Sequence, residues 1–361
     1  MPLPQYIGPE FDFLARRDRV IEDAPTKKAC VIATVRNEGV NLLEWIAHYR
    51  VIGFETIFVY SNGNTDRSED LLDALARADV INLCWNVVPD HLSPQMKAYR
   101  HALWINSEVA KHEWAFPLDA DEFLIPCVDG EPAARVGDWL DVIDQRHSPS
   151  AISVNWKWFS GDGCFEKSQG LCVERFRQAK PSSGVKTAFK LRDAVDIWNS
   201  HAPILRTNGL QINGDGDPIK AGSCGCPPVF RYGQVNHYWN KSFEEFFIRK
   251  HRGHGRPLVT EQRQYSHFFE WGRRRPDSPE PLPTSAFIKD PKDEMDRLRA
   301  LPGVLAAEHA TNERFREMLL ENGGARAAYD ATLRDLQNST QARSEAAPLI
   351  AAASPPGPEN C

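Results

Sequence analysis

The sequence lacks several features that would mark its class immediately. No apolar run approaches the roughly 20 residues needed to cross a bilayer. The stretch Ala346–Ala353 is too short and is interrupted by Pro348. The N-terminus is polar and has no apolar leader core, so no secretory signal is expected. The eight cysteines are scattered, and only Cys224 and Cys226 lie close, as C-G-C. Without a paired CxxC neither a structural zinc nor a disulfide framework is expected, and a reduced, cytoplasmic setting is the default. A net charge of −6 offers nucleic acid or anionic lipid no broad basic face. The basic runs Arg249-Lys250-His251-Arg252 and Arg273-Arg274-Arg275 read as solvated surface. Internal repeats are also missing. Peripheral membrane association and the oligomeric state stay open.

What is present is a chain of 361 residues, long enough for a main domain with an appendage. After a lead-in to about residue 27, strand-like and helix-like segments alternate. Strands are predicted at Ala29–Val35, Thr56–Tyr60, Val80–Trp85 and Trp114–Leu118, and helices at Val40–Val51, Ser68–Ala78 and Gln95–Ala110. That order predicts a parallel sheet covered by helices, with ligands at the carboxyl ends of its strands. Farther on, strands are expected at Ala151–Phe159, Cys172–Gln178, Thr187–Leu191 and Val229–His237. A loop or hairpin is expected at Asn208–Gly225, and a helix at Phe243–His251 capped by Ser242. The C-terminal part reads as helices at Lys292–Ala300 and Glu308–Leu336, then a small, polar, Pro-rich tail.

Four segments carry chemistry. The strongest is Asp119-Ala120-Asp121-Glu122, delivered by an apolar strand onto a turn and followed by a second apolar run. Burying such charge without a partner is costly, and a hard divalent cation shared with a phosphate would resolve the cost. Asp121 is the expected direct ligand, with Asp119 acting through water or a sugar. Over a hundred residues later, His237 could add a nitrogen ligand, which favours Mn²⁺ over Mg²⁺, and Lys241 could neutralise a departing diphosphate. Thr34–Glu38 and Ser61–Asp66 follow neighbouring strands and face the same crevice.

Together these segments resemble the GT-A glycosyltransferases, in a family-2-like group related to family 92. The resemblance rests on A-T-V-R-N-E at Ala33–Glu38, E-W-I-A-H-Y at Glu44–Tyr49 and S-N-G-N-T-D at Ser61–Asp66. It continues through Q-M-K-A-Y-R at Gln95–Arg100, L-D-A-D-E-F-L at Leu118–Leu124, W-x-x-F-x-x-x-G at Trp156–Gly163 and H-Y-W-N-K-S-F-E-E-F at His237–Phe246. It implies an α/β GT-A fold, a Rossmann-like nucleotide-binding half with a mixed central sheet, plus a C-terminal helical appendage. The implied layout is a lead-in over 1–27, the GT-A domain over 28–270, a connector over 271–290, helices over 291–338 and a tail over 339–361. The resemblance also implies inverting transfer of a hexosyl group from a nucleotide-diphosphate sugar, such as a UDP-sugar, to a hydroxyl of a glycan or glycoconjugate. Thr34, Asn37, Glu38, Asn62 and Asp66 would line the nucleoside pocket. Gln95, Lys97 and Asp119 would lie near the donor, and Asp119, Asp121 and His237 would serve the metal. Ser61-Asn62 stands where the family has an acidic residue.

An inverting transfer needs a general base. Asp162, in the Gly-flanked acceptor-side loop, is the expected one, with Glu174 and Asp193 as alternatives. Trp156, Trp158, Trp198 and Trp239 are candidates to stack on sugar rings. Two competing readings share the fold: a nucleotidyltransferase that makes nucleotide sugars, and a non-catalytic carbohydrate-binding protein. The first normally needs an early Gly-rich basic loop, and Thr34–Glu38 has one Arg and no Gly cluster. The paired aspartates and His237 weigh against the second.

Overall fold

Strand β2 (Lys27–Val35) shows how the alternation builds the molecule. Its residues Ala29, Val31, Ala33 and Val35 point into one apolar cluster, while Cys30 and Ile32 point into another on the opposite face. A strand buried on both sides requires helices on both sides. The first cluster is covered by α1 (Gly39–Val51), α2 (Ser68–Arg77) and α4 (Val136–His147), and the second by α3 (Pro94–Trp104). The computed structural model describes residues 4–15, 19, 21, 23–89, 92–161, 163–251, 265–273 and 289–338.

The strands lie side by side as β1 (Gln5–Ile7), β4 (Asn82–Asn86), β3 (Thr56–Ser61), β2 and β5 (His112–Pro117), all parallel. Beyond β5 the sheet turns mixed: β9 (Ala179–Lys190) is antiparallel to both β5 and β8 (Ala151–Phe159). Then β14 (Gly233–His237) runs parallel to β8 and antiparallel to β6 (Glu122–Val128), which pairs with the short β7 (Glu131–Pro132). Two reversals restore the direction, so β8 and β14 end at the same edge as β2, β3, β4 and β5. A hairpin of β10 (Ala194–Asn199) and β11 (Ala202–Leu205) stands apart, and the small β12 (Gln211–Ile212) and β13 (Pro218–Ile219) flank β8.

The lead-in contributes an edge strand: β1 pairs in parallel with β4. The segment expected as a strand at Cys172–Gln178 instead begins with a helical turn, α5 (Cys172–Arg175). Two carboxylates explain it, since Glu174 accepts from the Leu171 amide at 3.0 Å and Glu44 from the Cys172 amide at 2.7 Å. Free amides at a helix start are stabilised by such anions. The helix Phe243–His251, α6, carries the expected cap: the Ser242 hydroxyl accepts from the Glu245 amide and the Glu245 carboxylate from the Ser242 amide.

The C-terminal part supplies α7 (Ser266–Arg273), α8 (Lys289–Arg299) and α9 (Val304–Glu321). The long helix expected to Leu336 breaks at Gly323 and Gly324, whose φ angles are +82° and +77°, and a last helix follows over 325–338. α9 packs on α1, α2 and α6, and α8 on α1. Gly39 permits the close approach, because a Cβ there would sit 2.3 Å from Thr311 Cγ2. Phe243, Phe246, Phe268, Phe315 and Met318 form a separate apolar cluster beneath these helices. Among the described residues no helix is long and apolar enough to cross a membrane. Of the connector expected at 271–290, residues 274–288 lie outside the described residues and the rest are helical, and the tail from 339 also lies outside them.

Candidate active site

The strand ends on the common edge bring together residues far apart in sequence. Register does most of this. His237, the last residue of β14, pairs with Glu122 on one side and Trp158 on the other. His237 therefore reaches Asp121, with Nε2 to Oδ2 at 3.5 Å, and the Tyr238 amide donates to the Asp121 carbonyl at 2.9 Å. Trp156 packs against the imidazole with ring centroids 4.9 Å apart.

The acidic turn is held from beneath. Trp45 Nε1 donates to the carbonyls of Asp119 and Glu122, both at 3.0 Å, and Tyr49 donates to Glu122 O at 2.8 Å. The two aspartates diverge from there. Asp119, a quarter exposed, accepts from Gln95 Nε2 at 2.7 Å and from Lys186 Nζ at 3.0 Å. Asp121 is 1% exposed and is ion-paired to Arg249. Burial alone would push the Asp121 carboxyl up, but Arg249 and then His237 outweigh it and hold it well below the usual range. Glu122, fully buried, goes the other way: burial raises its carboxyl despite Lys186 at 3.3 Å.

Lys241 and Glu38 complete the cluster. Lys241 sits at φ +52°, with Nζ 3.5 Å from Glu38 Oε2, and Glu38 Oε1 is 3.7 Å from Arg249. Burial works against the Lys241 ammonium, and Glu38 leads the carboxylates that hold it above its ordinary range. Two buried cations and two carboxylates thus balance one another at the mouth of the turn.

The residues expected around a nucleoside are organised among themselves. Asn37, at φ +52°, donates its amide to Asn64 Oδ1 at 2.7 Å and exchanges side-chain and backbone bonds with Thr65. Asn62 donates to the carbonyls of Val35 and Tyr60 and accepts from Asn86 Nδ2 at 2.6 Å. Asp66 caps two helices with one carboxylate: Oδ2 takes the Gly39 amide at 2.9 Å, and Oδ1 takes the Ser68 amide and hydroxyl. Thr34 lies in β2 opposite Tyr60. Lys97 points away from this group, with Nζ on the carbonyls of Ile7, Gly8 and Val87 at 3.2, 2.7 and 2.5 Å.

Of the expected bases, Asp162 lies outside the described residues. Glu174 is paired with Lys292 of α8. Asp193 follows β9 at the opposite edge of the sheet, near Glu113, and is not part of the cluster. Trp198 is half exposed and donates to the Gly222 carbonyl at 3.0 Å.

Sequence reasoning missed Lys186 and misread Arg249. Lys186 lies in Val185-Lys186-Thr187-Ala188-Phe189, a strand buried on both faces, and a lysine inside such a run was the available signal. Arg249 belongs to a basic run read as solvated surface. Its side chain instead turns inward, four residues after Glu245 on the packed face of α6. Among the described residues no three His, Cys, Asp or Glu side chains gather in a metal-holding arrangement. Asp121 and His237 come together, and Asp119 faces Gln95 and Lys186 instead.

A parallel half, an antiparallel extension, an acidic turn after β5 and helices in the C-terminal region define a GT-A-like fold. Residues 29–180 match glycosyltransferase family 92, spanning β2 through the start of β9. The chain is also similar to a family 92 glycosyltransferase protein of Oryza sativa subsp. japonica, 30% identical over 97 residues. That match covers 26% of this chain and 16% of the rice protein, so the chain spans only a small part of that relative's length.

Proposed function

We propose that this protein is a glycosyltransferase that moves a sugar from a nucleotide-diphosphate donor, a UDP-sugar in the simplest case, to a hydroxyl of a glycan or glycoconjugate, with inversion. The observation that carries this reading is the cluster at the end of β5. An acidic turn, a histidine and three buried cations converge where an α/β sheet of this kind binds ligands. The similarity to family 92 over residues 29–180 supports it.

Asp121 and His237 suit a divalent cation. A carboxylate oxygen and an imidazole nitrogen 3.5 Å apart can be neighbouring ligands on one ion, and this donor pair favours Mn²⁺. The other positions would fall to donor oxygens and water. When bound, such an ion supplies charge stabilisation for the leaving diphosphate. The chain's own contributions are separate. Lys241 places a buried positive charge beside Glu38, where a leaving diphosphate would gain most from it. Lys186 and Gln95 fix the Asp119 carboxylate, which is exposed enough to accept a sugar hydroxyl.

The test is a panel of nucleotide sugars, scored for binding and slow hydrolysis with and without Mn²⁺. One donor class is expected to bind and to release nucleoside diphosphate. Asp121→Asn should lower that turnover by about 10²–10³-fold, because it weakens the hold on the ion that would stabilise charge on the leaving diphosphate. Full activity in this variant would overturn the assignment of Asp121. Release of pyrophosphate from a nucleoside triphosphate would favour a nucleotidyltransferase instead.

A further inference from the structure

Resting on that reading, we propose that Arg249 has two alternative partners: it holds Asp121 when no donor is present and grips the donor diphosphate when one binds. The first partner is visible. From α6 the guanidinium pairs through Nη2 with Asp121 Oδ2, and Nη1 donates to the Trp239 carbonyl. Glu38 Oε1 lies 3.7 Å from the same Nη2.

Two observations point to the second partner. Arg249 Nε is buried and has no hydrogen-bond acceptor among the described residues. An arginine fork with an unmet inward donor is matched by a planar or tetrahedral oxyanion, and phosphate is the usual one. A cavity of about 30 Å³ also lies against this side chain, lined by Asn37, Glu38, Asp66, Trp239 and Lys241 among others. It has room for a water or two and none for a diphosphate. A diphosphate entering this cavity would have to displace its neighbours, and release of the guanidinium would open both the space and the carboxylate.

The charges give the sense of the exchange. With Arg249 on Asp121 and Lys241 beside Glu38, the four groups balance. A divalent cation arriving alone meets a guanidinium already on its carboxylate, and like charges at that separation repel. A diphosphate draws the guanidinium to itself and leaves Asp121 to the cation. Cation and diphosphate therefore bind with positive coupling, and Arg249 is the element both of them bias.

The experiment titrates the full chain with Mn²⁺ alone, with uridine diphosphate alone and with both together, by calorimetry. It compares the unaltered protein with Arg249→Met and Arg249→Lys, after thermal melts have shown that each is folded. In Arg249→Met, Mn²⁺ alone is expected to bind at least about tenfold tighter, because Asp121 is released. Uridine diphosphate alone is expected to bind at least about tenfold weaker, the scale of a lost charge-assisted contact. Arg249→Lys keeps the charge on Asp121, so its Mn²⁺ affinity should stay close to that of the unaltered protein while its diphosphate affinity falls. Unchanged or weaker Mn²⁺ binding in a folded Arg249→Met overturns the exchange. Should Arg249→Met not fold, an undiminished diphosphate affinity in Arg249→Lys overturns it. If the unaltered protein binds no nucleoside diphosphate even with Mn²⁺, the glycosyltransferase reading fails first and takes the exchange with it.

Discussion

The edge of the sheet has two halves built on different principles. After β2 and β3, the loops carrying Asn37, Asn62, Asn64, Thr65 and Asp66 satisfy one another with short hydrogen bonds, and only one of these side chains is charged. α9 closes over them, with the Thr311 hydroxyl bonded to Ala307 and near the Arg67 carbonyl, and Arg314 near the Thr65 carbonyl. After β5 and β14 the balance is made by charges instead, and polar atoms are left over: Glu122 Oε1, His237 Nδ1 and Arg249 Nε are buried without partners among the described residues. Native proteins rarely leave such atoms unmet without a reason. The first half is bonded largely within itself, with Asn86 Oδ1 left over, while the second balances charges and leaves more of its buried polar atoms unmet among the described residues.

The largest break in this comparison should come from Lys186→Met. It strands the Glu122 carboxylate and half of the Asp119 pair in a buried setting, and removing one partner of a buried ion pair costs roughly 3–5 kcal/mol. A urea midpoint at constant slope reads this directly. A loss below about 1 kcal/mol would show that water reaches the turn and that the second half is less sealed than its geometry implies.

Glu44 tests the seam between the halves through pH. It lies buried on α1 with the Cys172 amide as its bond donor, and burial pushes its carboxyl from 4.5 up to about 7. A carboxyl raised on folding contributes stability that is fully present below its unfolded value. That contribution is lost as pH rises through the folded value. The protein should therefore lose roughly 3 kcal/mol between about pH 4.5 and 7 from this group. Glu44→Gln keeps the acceptor and should flatten that part of the stability–pH curve; an unaltered slope would assign it to other groups.

The smallest expected effect sharpens the contrast. Asp66→Ala removes caps from α1 and α2 together and should cost about 2 kcal/mol, as paired losses of helix capping. Mn²⁺ affinity should not move. If it does, the two halves are one mechanical unit.

Much of the frame is legible in the sequence because it follows from period. The apolar run Ala29–Val35, buried on both faces, and the helix-length segments between strands point to a covered parallel sheet, and the acidic turn falls at a strand end. That His237 reaches Asp121 depends on register, which no local pattern states, and residue type alone suggested it. Lys186 and Arg249 were harder to read for a different reason. A long cationic side chain in a strand or helix looks solvated unless the far side of the fold is known; Lys186 is buried and Arg249 mostly covered, each paired with a carboxylate distant in sequence. Lys97, expected near the donor from its position in Gln95–Arg100, instead bonds the carbonyls of Ile7 and Gly8 at the N-terminal strand.

That ammonium has a consequence for anyone shortening the chain. Ile7 and Gly8 supply two of its three carbonyl acceptors from the first few residues, with Val87 the third. Trimming the apparently dispensable start would remove more than an edge strand. It would leave a lysine inside the protein with most of its bonding undone, on the same helix as Gln95 and two residues from the side chain that holds Asp119.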